Sequence, residues 1–551
     1  MRTVRRQLIL FSVWLLLPVI SFGITAGAAS KPNIVVILAD DLGIGDVKCY
    51  GGDRCLIETP NLDALAAEGI RFTDAHVTSS ICGPSRTALM TGRYSWRFSG
   101  PVKGGPWGFV GPRPHLEDHT LAKLLKRGGY DTACIGKWHL GTIMTTSDGR
   151  NQGLNNVNYT KPLRFGPIQF GFDESFILPG SLDMYPYAYL RNHEWQGEVT
   201  AQKGWSAFNR VGPAEKDFKD HEVLETFYRE AEDYLGRRKT GEPFFLLLTL
   251  TGPHTPTSPG KPWQGRSKLG VYGDFVMEVD HAVKRVRDAL KAKGLDDNTL
   301  VLFSSDHGPA PYAGNILKAT PAQIQKLEQA GHYPSGRYRG YKFSIYEGGL
   351  RVPLIAHWPG VTPPGTTCDS LVSLGDFMAT FAELTDEKLA ASEGPDSISF
   401  APLLKKPGSK GERRDLVMES TTHFAIRSGE WKLCLTPSSG IQANFPDGAG
   451  NDPLPKVAWR KALDELGRHP TNSDLLKAPF VQLYDLTDDP GEKSNLAAEH
   501  PERVAEMVGL LQRQVTEGRS TPGPKLKNDK RVRIVNLADR RLPDFVKTKP
   551  K

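Results

Sequence analysis

The stretch IVVILADD, residues 34–41, places two carboxylates directly after an uninterrupted apolar run. Such a run is typical of a β-strand that is buried on both faces of a sheet. Comparable runs predict further strands at residues 130–135, 244–250, 299–304 and 352–356. Helical patterns alternate with them, at residues 60–69, 120–127 and 274–293. This alternation predicts an α/β fold with a large, mostly parallel sheet sandwiched by helices.

The pattern changes near Arg413. Short alternating strands at residues 425–435 and 482–486, with one amphipathic helix at 501–514, predict a smaller C-terminal α+β subdomain with an antiparallel sheet. We therefore expect an N-terminal domain, a C-terminal subdomain and a basic tail. Their predicted bounds are residues 30–412, 413–520 and 521–551.

Residues 1–29 have the features of a signal peptide. Three arginines precede a thirteen-residue apolar run at 8–20, and the small residues of Ala26-Gly27-Ala28 follow at the usual cleavage spacing. Thirteen apolar residues are too short to cross a bilayer. We therefore predict export to the periplasm or the exterior, with no integral membrane segment after cleavage.

The composition, with 39% hydrophobic and 24% charged residues in 551, excludes a collagen, a coiled coil, a polytopic membrane protein and a largely disordered chain. The net charge of +7 is concentrated at the ends, because residues 525–551 contain ten basic and three acidic side chains. Such a tail is either a solvated, mobile end or a region that attracts a polyanion. Since export argues against nucleic acid, that polyanion would be a sulfated polysaccharide.

Polar side chains follow four of the predicted strands. In an open parallel sheet, ligands bind outside the carboxyl ends of the strands, so these side chains should meet in one crevice. They are Asp40 and Asp41, Lys137 and His139, His254, and Asp306 and His307.

The three aspartates of this set would bring three negative charges into a small volume. Such a cluster requires protonation or a hard divalent cation, although an Asp-Asp pair alone is more often a helix cap or a turn. The lysine and histidines of the set, together with Lys342, add positive charge and proton donors. This combination is suited to an anionic substrate.

The segment ICGPSRTALMTGR, residues 81–93, is the most specific in the chain. Cys82 lies at the start of a predicted helix, with Pro84 in the first turn and the positive end of the helix beside it. A buried free thiol is the alternative. The pattern C-x-P-S-R followed by T-G-R resembles the signature of type I sulfatases. Further segments resemble motifs of this family over about residues 31–515: 31–45, 136–141, 253–254, 305–308, 346–353 and 483–491.

The resemblance implies an alkaline phosphatase-like fold and hydrolysis of a sulfate monoester. The predicted export and the basic tail suggest that this ester is on a sulfated carbohydrate. The resemblance implies that a formylglycine-generating maturation enzyme oxidises Cys82 to formylglycine, whose hydrate supplies the nucleophilic oxygen. It also implies one bound calcium ion. The implied ligands are Asp40, Asp41, Cys82, Asp306 and His307.

The remaining roles implied by the resemblance concern charge and proton transfer. Arg86 and Lys137 would stabilise the hydrate and the anion. His139 would take a proton from the second hydroxyl and so regenerate the aldehyde. His254 and Lys342 would neutralise the leaving alcohol oxygen, which makes Lys137, His254 and Lys342 substrate-binding residues.

Asp183 is a further candidate for substrate binding. It opens the aromatic segment DMYPYAY, residues 183–189, and Trp195 and Trp205 follow in the same loop-rich region. Aromatic rings in such a region either stack on a carbohydrate or, more often, pack locally. The identity of the sugar and the position of its sulfate do not follow from these residues.

Three further points stay open from the sequence. His307 stands where many family members carry Asn; imidazole is a softer ligand, so a transition metal is an alternative to the preferred calcium. Cys49 and Cys55 are close enough in sequence to be bridged. The rival functions are a phosphonate or phosphate ester hydrolase of the same superfamily and a non-catalytic polyanion-binding protein with an unmodified Cys82.

Overall fold

The computed structural model describes residues 31–102, 104–204, 210–314, 322–420, 423–436, 439 and 479–535. The predicted signal peptide, Trp205 and residues 536–551 of the basic tail lie outside these ranges. Residues Lys31–Lys551 are grouped in one compact unit. The predicted domain bounds remain an expectation.

The described strands are listed here in chain order. They are β1 (Asn33–Asp40), β2 (Ile70–Phe72), β3 (Ala75–His76), β4 (Asp131–Lys137), β5 (Glu174–Leu178), β6 (Leu190–Arg191), β7 (Glu194–Trp195), β8 (Ala201–Lys203), β9 (Gly212–Ala214), β10 (Phe244–Pro253), β11 (Thr299–Ser305), β12 (Leu354–His357), β13 (Thr366–Cys368), β14 (Val372–Ser373), β15 (Asp415–Glu419), β16 (Phe424–Ser428), β17 (Trp431–Cys434) and β18 (Gln482–Asp485).

The described α-helices range from one turn to six. They are α1 (Lys48–Gly51), α2 (Pro60–Glu68), α3 (Cys82–Thr91), α4 (Leu121–Arg127), α5 (Val223–Gly236), α6 (Val271–Ala292), α7 (Ala322–Gln329), α8 (Glu347–Leu350), α9 (Phe377–Leu384), α10 (Ala401–Lys405) and α11 (Pro501–Glu517). None of the helices in the described ranges is long and apolar enough to cross a membrane.

The large sheet has ten strands in the order β13-β2-β12-β11-β1-β10-β4-β5-β6-β7. Its centre, from β11 through β1, β10 and β4 to β5, is parallel, as the alternating pattern predicts. The predicted strand at 352–356 is present as β12, but it runs antiparallel to β11. The sheet is therefore mixed at its edges.

Helices cover both faces of this sheet, and β1 shows why. Successive side chains of a strand point to opposite faces. Val35 and Ile37 pack in the core beneath α2, α5 and α6, whereas Val36 and Leu38 belong to the core beneath α3, α4 and α9. All eight residues of β1 are buried. This double burial explains the uninterrupted apolar run in the sequence.

The second sheet consists of β15, β16, β17 and β18, with each neighbouring pair antiparallel. It begins at Asp415, close to the predicted change of pattern, and α11 covers it with Val504, Met507 and Leu511. These side chains share one core with α3, α4 and α9. The antiparallel subdomain is thus fused to one face of the large sheet.

The basic side chains of the described part of the tail are exposed, but other residues of this part contact the body of the protein. Asp529 accepts a hydrogen bond from Arg93 at 2.9 Å and donates its backbone N–H to the carbonyl of Arg97. Ile534 and Val535 are buried. Polar partners and two apolar side chains within the basic run hold residues 525–535 against the body of the protein.

Candidate active site

The carboxyl ends of β1, β10, β11 and β4 meet at one crevice, because these strands are parallel neighbours. The register pairs Ala39 with Ser305 and Asp40 with Pro253. The residues that come next, Asp306 and His254, therefore lie beside the paired aspartates. The four polar groups predicted to converge are brought together.

The three aspartates face one another. The backbone N–H of Asp41 donates to Oδ1 of Asp306 at 3.3 Å, and Asp41 itself has a left-handed φ of 63°. Non-glycine residues in this region are strained and are often found at functional sites. Oδ1 of Asp40 and Oδ2 of Asp41 are buried and have no hydrogen-bond partner among the described residues. Buried carboxylate oxygens in this state fit a cation.

The donor set matches what a cation requires. Ligand atoms of Asp40, Cys82, Asp306 and His307 all lie within 4.8 Å of one another, as do those of Asp40, Asp41, Cys82 and His254. Metal–oxygen distances of about 2.3–2.6 Å allow one calcium ion to reach groups with this separation. The predicted ligands are divided between these two groups, which share Asp40 and Cys82, and His254 belongs to the same group as Asp41.

Cys82 is the first residue of α3. The sequence predicts it one position earlier, just before the helix begins. Its Sγ lies 3.1 Å from Nε2 of His307, and its residue is only 3% exposed. Burial raises the pKa of the thiol, but Lys137, Lys342 and His307 lower it well below its usual range. The free N–H groups of the first helical turn also favour negative charge here.

Two cations lie beside this position. Lys137 contacts Oδ2 of Asp40 at 2.6 Å, and Nε of Arg86 contacts Oδ2 of Asp306 at 2.9 Å. Nη2 of Arg86 is buried without a hydrogen-bond partner in the described part of the chain. An unpaired guanidinium N–H beside a nucleophile is suited to hold an oxyanion.

The two site histidines have opposite pKa shifts. Burial lowers the pKa of His139, so that its imidazole is favoured in the neutral form. Burial also acts to lower the pKa of His254, but Asp41, Asp40 and other carboxylates raise it above its usual value. Nδ1 of His254 faces the Thr255 carbonyl, and Nε2 lies 3.8 Å from Oδ2 of Asp41. The two imidazoles that face this crevice thus differ in the direction in which their surroundings shift the pKa.

Lys342 reaches the crevice from outside the parallel strands. Its Nζ contacts Oδ1 of Asp41 at 2.7 Å, and its backbone N–H donates to the carbonyl of Pro309. It follows the loop Asp306–Pro309 in sequence and returns to it in space. All six predicted catalytic residues therefore line one buried site.

Comparison with known proteins bears directly on this site. A family model described as Sulfatase matches residues 32–387, which is more than half of the chain. The chain belongs to the sulfatase family. It is therefore a sulfuric ester hydrolase, and the fold and family expected from the sequence are confirmed.

Named relatives of this sulfatase cover most of its length. The N-acetylgalactosamine-6-O-sulfatase of Bacteroides thetaiotaomicron is 31% identical over 88% of this chain and 93% of its own. The human N-acetylgalactosamine-6-sulfatase is 30% identical over 88% and 86%. A solved Bacteroides thetaiotaomicron sulfatase structure, described with the metabolism of multiple glycosaminoglycans, has a TM-score of 0.70 and 29% identity, and covers 88% of this chain and 99% of that one.

The sulfatase places Asp183 beside His254, with Oδ1 3.9 Å from Nδ1 of the imidazole. Oδ2 of Asp183 accepts a hydrogen bond from Arg210 at 2.7 Å, and the Arg210 guanidinium stacks on Trp107 at 3.3 Å. Asp183 Oδ1 is buried and has no hydrogen-bond partner within the described ranges. Arg210 and Trp107 were missed from the sequence, because they lie in loops without a motif.

Two more residues near the centre were also missed. Ser181 contacts Oδ2 of Asp40 at 3.4 Å, and Tyr312 is buried close enough to Lys342 and Asp41 to interact with their charges. Burial raises the pKa of Tyr312 well above its usual value. Their sequence context, PGSLD and GPAPY, gave no chemical signal.

The aromatic segment packs locally where it is described. Tyr185 and Tyr187 are buried, Tyr189 packs on Phe176 at 5.0 Å, and Trp195 lies 5.0 Å from the ring of Tyr159. These contacts support the packing interpretation rather than carbohydrate stacking. The cysteines at positions 49 and 55 are free, so the sequence proximity does not produce a disulfide.

Proposed function

We propose that this sulfatase is formylglycine-dependent, binds one calcium ion and hydrolyses a sulfate ester on a carbohydrate. One observation carries the proposal. Cys82 Sγ and the ligand atoms of Asp40, Asp306 and His307 all lie within 4.8 Å of one another. A nucleophile at a helix N-terminus, within 4.8 Å of groups that can hold a cation, is suited to attack an anion that this cation would neutralise.

Calcium would be held by Asp40, Asp41, Asp306 and His307, together with the modified side chain of Cys82. The unpartnered carboxylate oxygens of Asp40 and Asp41 support this assignment, since burying them without a cation is costly. The bound ion would neutralise sulfate charge and lower the barrier to attack on sulfur. Three carboxylates with one imidazole favour a hard cation over a softer one.

Formylglycine at position 82, once hydrated, would supply the nucleophilic oxygen. Lys137 and Arg86 lie where they can hold the sulfate oxygens, and Arg86 has an N–H available in Nη2. His139 is favoured in the neutral form and can therefore accept a proton from the second hydroxyl of the hydrate. Release of sulfate then requires no attack of water on sulfur.

The leaving oxygen would be neutralised by His254 and Lys342. The raised pKa of His254 favours the protonated imidazole, which can donate to an alkoxide as the S–O bond breaks. Lys342 adds a fixed positive charge on the same side. The assignment of these six catalytic residues and of the metal ligands is a proposal.

We infer that the substrate is a 6-sulfated N-acetylgalactosamine or a glycan that contains it. The support is the printed activity of two relatives at 30% identity or above, each aligned over 88% of this chain. Asp183 would contact a sugar hydroxyl through its unpartnered oxygen, which lies beside His254. Export through residues 1–29 and modification by a maturation enzyme complete the proposal.

A panel of esters tests this function. Fully modified protein should cleave N-acetylgalactosamine 6-sulfate faster than the 4-sulfate of the same sugar, galactose 6-sulfate and N-acetylglucosamine 6-sulfate. Phenyl sulfate should be cleaved and phenyl phosphate and phenyl phosphonate should be poor substrates. Preference for the phosphorus esters would assign the chain to the rival hydrolase class, and binding of a sulfated polymer without turnover would favour a non-catalytic role.

A further inference from the structure

A second buried charge cluster lies between the two sheets. The carboxylate of Glu347, at the start of α8, pairs with three basic side chains. The nitrogen–oxygen distances are 2.9 Å to Lys432, 2.8 Å to His76 and 2.7 Å to Arg351. Lys432 also contacts Glu492 at 2.9 Å. The side chains of Glu347, Lys432, Glu492 and His76 are all completely buried.

This cluster is not suited to a metal, although Asp74, His76 and Glu347 are close enough to share one. Arg351 contacts both Asp74 and Glu347, and Lys432 contacts Glu347. The carboxylates are thus already neutralised by fixed cations, which would repel an ion. The cluster instead joins elements that are far apart in sequence.

The cluster holds residues 339–351, the segment that contains both α8 and Lys342. The backbone N–H of Glu347 donates to Oε2 of Glu492 at 2.6 Å, and Tyr346 donates its hydroxyl to Gln482 at 2.8 Å. Arg339, on the other side of Lys342, donates to the carbonyl of Glu492 at 2.7 Å. The antiparallel sheet and the loop after β18 therefore form hydrogen bonds with the segment 339–351 on both sides of Lys342.

Residues 339–351 also contact the loop Asp306–Pro309, which contains two of the proposed metal ligands. The N–H of Gly308 donates to the carbonyl of Gly349 at 3.1 Å, and a Cβ at Gly308 would lie 1.9 Å from the carbonyl oxygen of Gly348. Contact this close leaves no space for displacement of α8 toward the loop. Lys342 itself is tied to Pro309, two residues beyond His307.

From these contacts we propose that Lys432 and Glu492 are positioning residues for the reaction. They hold α8 so that Lys342 is placed at Asp41 and at the leaving oxygen. A displacement of about 1 Å of a catalytic group can reduce the rate about a hundredfold. This inference rests on the role proposed above for Lys342, and it gives the C-terminal sheet a part in catalysis.

The test is a double-mutant cycle. Lys432→Met alone leaves two buried carboxylates with one cation fewer and can prevent folding. The pair Lys432→Met with Glu492→Gln removes one charge of each sign and keeps an acceptor for the Glu347 N–H. We expect this double variant to lower kcat on phenyl sulfate by roughly tenfold or more, with KM little changed.

The decisive arm combines the double variant with Lys342→Met. If Lys432 and Glu492 act through Lys342, adding their substitutions to Lys342→Met should cause no further loss of kcat. An equal fold-loss in both backgrounds would overturn the proposal, and so would an unchanged kcat in the double variant. If Lys342→Met alone leaves kcat unchanged, the failure lies in the proposed role of Lys342.

Hydrogen exchange gives a readout that does not depend on activity. In the double variant, backbone amides of residues 339–351 should exchange faster than in the wild type, whereas those of β1 should not change. Unaltered exchange of 339–351 would contradict the proposal. The matched control is the pair Arg97→Met with Asp396→Asn, which likewise removes one charge of each sign from a buried ion pair but leaves this segment untouched. In this control, kcat on phenyl sulfate and the exchange of residues 339–351 should stay as in the wild type.

Discussion

The Sγ atom of Cys82 lies 3.1 Å from Nε2 of His307, so the side chain proposed to be modified and a proposed metal ligand are in direct contact. Lys137 and Lys342 both lower the pKa of the same thiol. The chemistry at position 82 and the occupancy of the metal site should therefore depend on each other.

Cys82→Ala should reduce turnover of any sulfate ester by more than about a thousandfold, because it removes the nucleophile. The far-ultraviolet circular dichroism and the melting temperature should stay close to those of the wild type. Mass spectrometry of the peptide that contains Cys82, from a host with the maturation enzyme, should show loss of sulfur and gain of oxygen. An unmodified thiol in fully active protein would contradict the mechanism.

Chelation should inactivate the enzyme reversibly, and calcium should restore it. Asp306→Asn should weaken calcium binding, measured by calorimetry, by at least about tenfold, because one of three carboxylate charges is lost. Asp396→Asn is the control: that aspartate is also buried but pairs with Arg97 far from the site. Equal calcium affinity of Asp306→Asn and wild type would remove Asp306 from the ligand set.

Asp183→Asn should discriminate between substrates. It weakens the pair with Arg210 and removes a charged acceptor beside His254, so kcat/KM for the preferred sulfated sugar should fall by about ten- to a hundredfold. Turnover of phenyl sulfate, which has no sugar hydroxyl, should change much less. Asp220→Asn, at a carboxylate paired with Lys203, serves as the control. Equal losses on both esters would show that Asp183 acts on the reaction and not on the sugar.

The buried carboxyl of Glu278 should make stability fall as pH rises. Burial raises its pKa from 4.5 to about 8, although Gly260 donates a hydrogen bond to it. The folded state therefore holds a proton that the unfolded state releases, so the free energy of unfolding should decrease between about pH 5 and pH 8.

Glu278→Gln keeps the acceptor for Gly260 without the charge, and it should flatten this decrease by on the order of a few kcal/mol. Denaturant unfolding at several pH values measures the effect. Glu242→Gln, at an exposed carboxylate, should leave the slope unchanged. A slope that Glu278→Gln does not alter would show that this carboxyl is not the source.

The tail should divide into two parts with different roles. Deleting residues 536–551 should leave the melting temperature and the turnover of phenyl sulfate unchanged, and it should weaken binding to a sulfated polymer at low salt only. Deleting residues 525–551 should also lower the melting temperature, because the contacts of Asp529 and the buried Val535 are lost. A binding loss that persists at high salt would argue against long-range attraction.

The central strands and the site at their ends could be predicted because the local pattern determines them. The run before Asp40 is apolar on both faces, and parallel neighbours bring strand ends together, so the position of Asp306 beside Asp40 follows from topology. The direction of β12 could not be predicted, because a strand's composition does not show whether its neighbour is parallel. The same holds for Arg210, whose partner Asp183 is 27 residues away in a loop without periodicity.

The tail and the charge cluster at α8 show a second limit of prediction from the sequence. A run of basic residues indicates solvent exposure on average, but the contacts that hold Asp529 depend on where Arg93 and Arg97 lie in the fold. Likewise, Lys432 lies in a short strand of alternating residues, and only the assembled structure places it against Glu347. Long-range pairs of this kind have no signal in one sequence.

The burial of Cys82 has a consequence for the order of events in the cell. At 3% exposure, with His307 against its sulfur, the side chain is out of reach of another protein once the chain has folded. If Cys82 is modified as proposed, the enzyme that oxidises it would have to bind the segment around it while the chain is still extended. A variant that folds faster than it is modified would then be stable but unmodified, and the yield of active enzyme would depend on the relative rates of modification and folding.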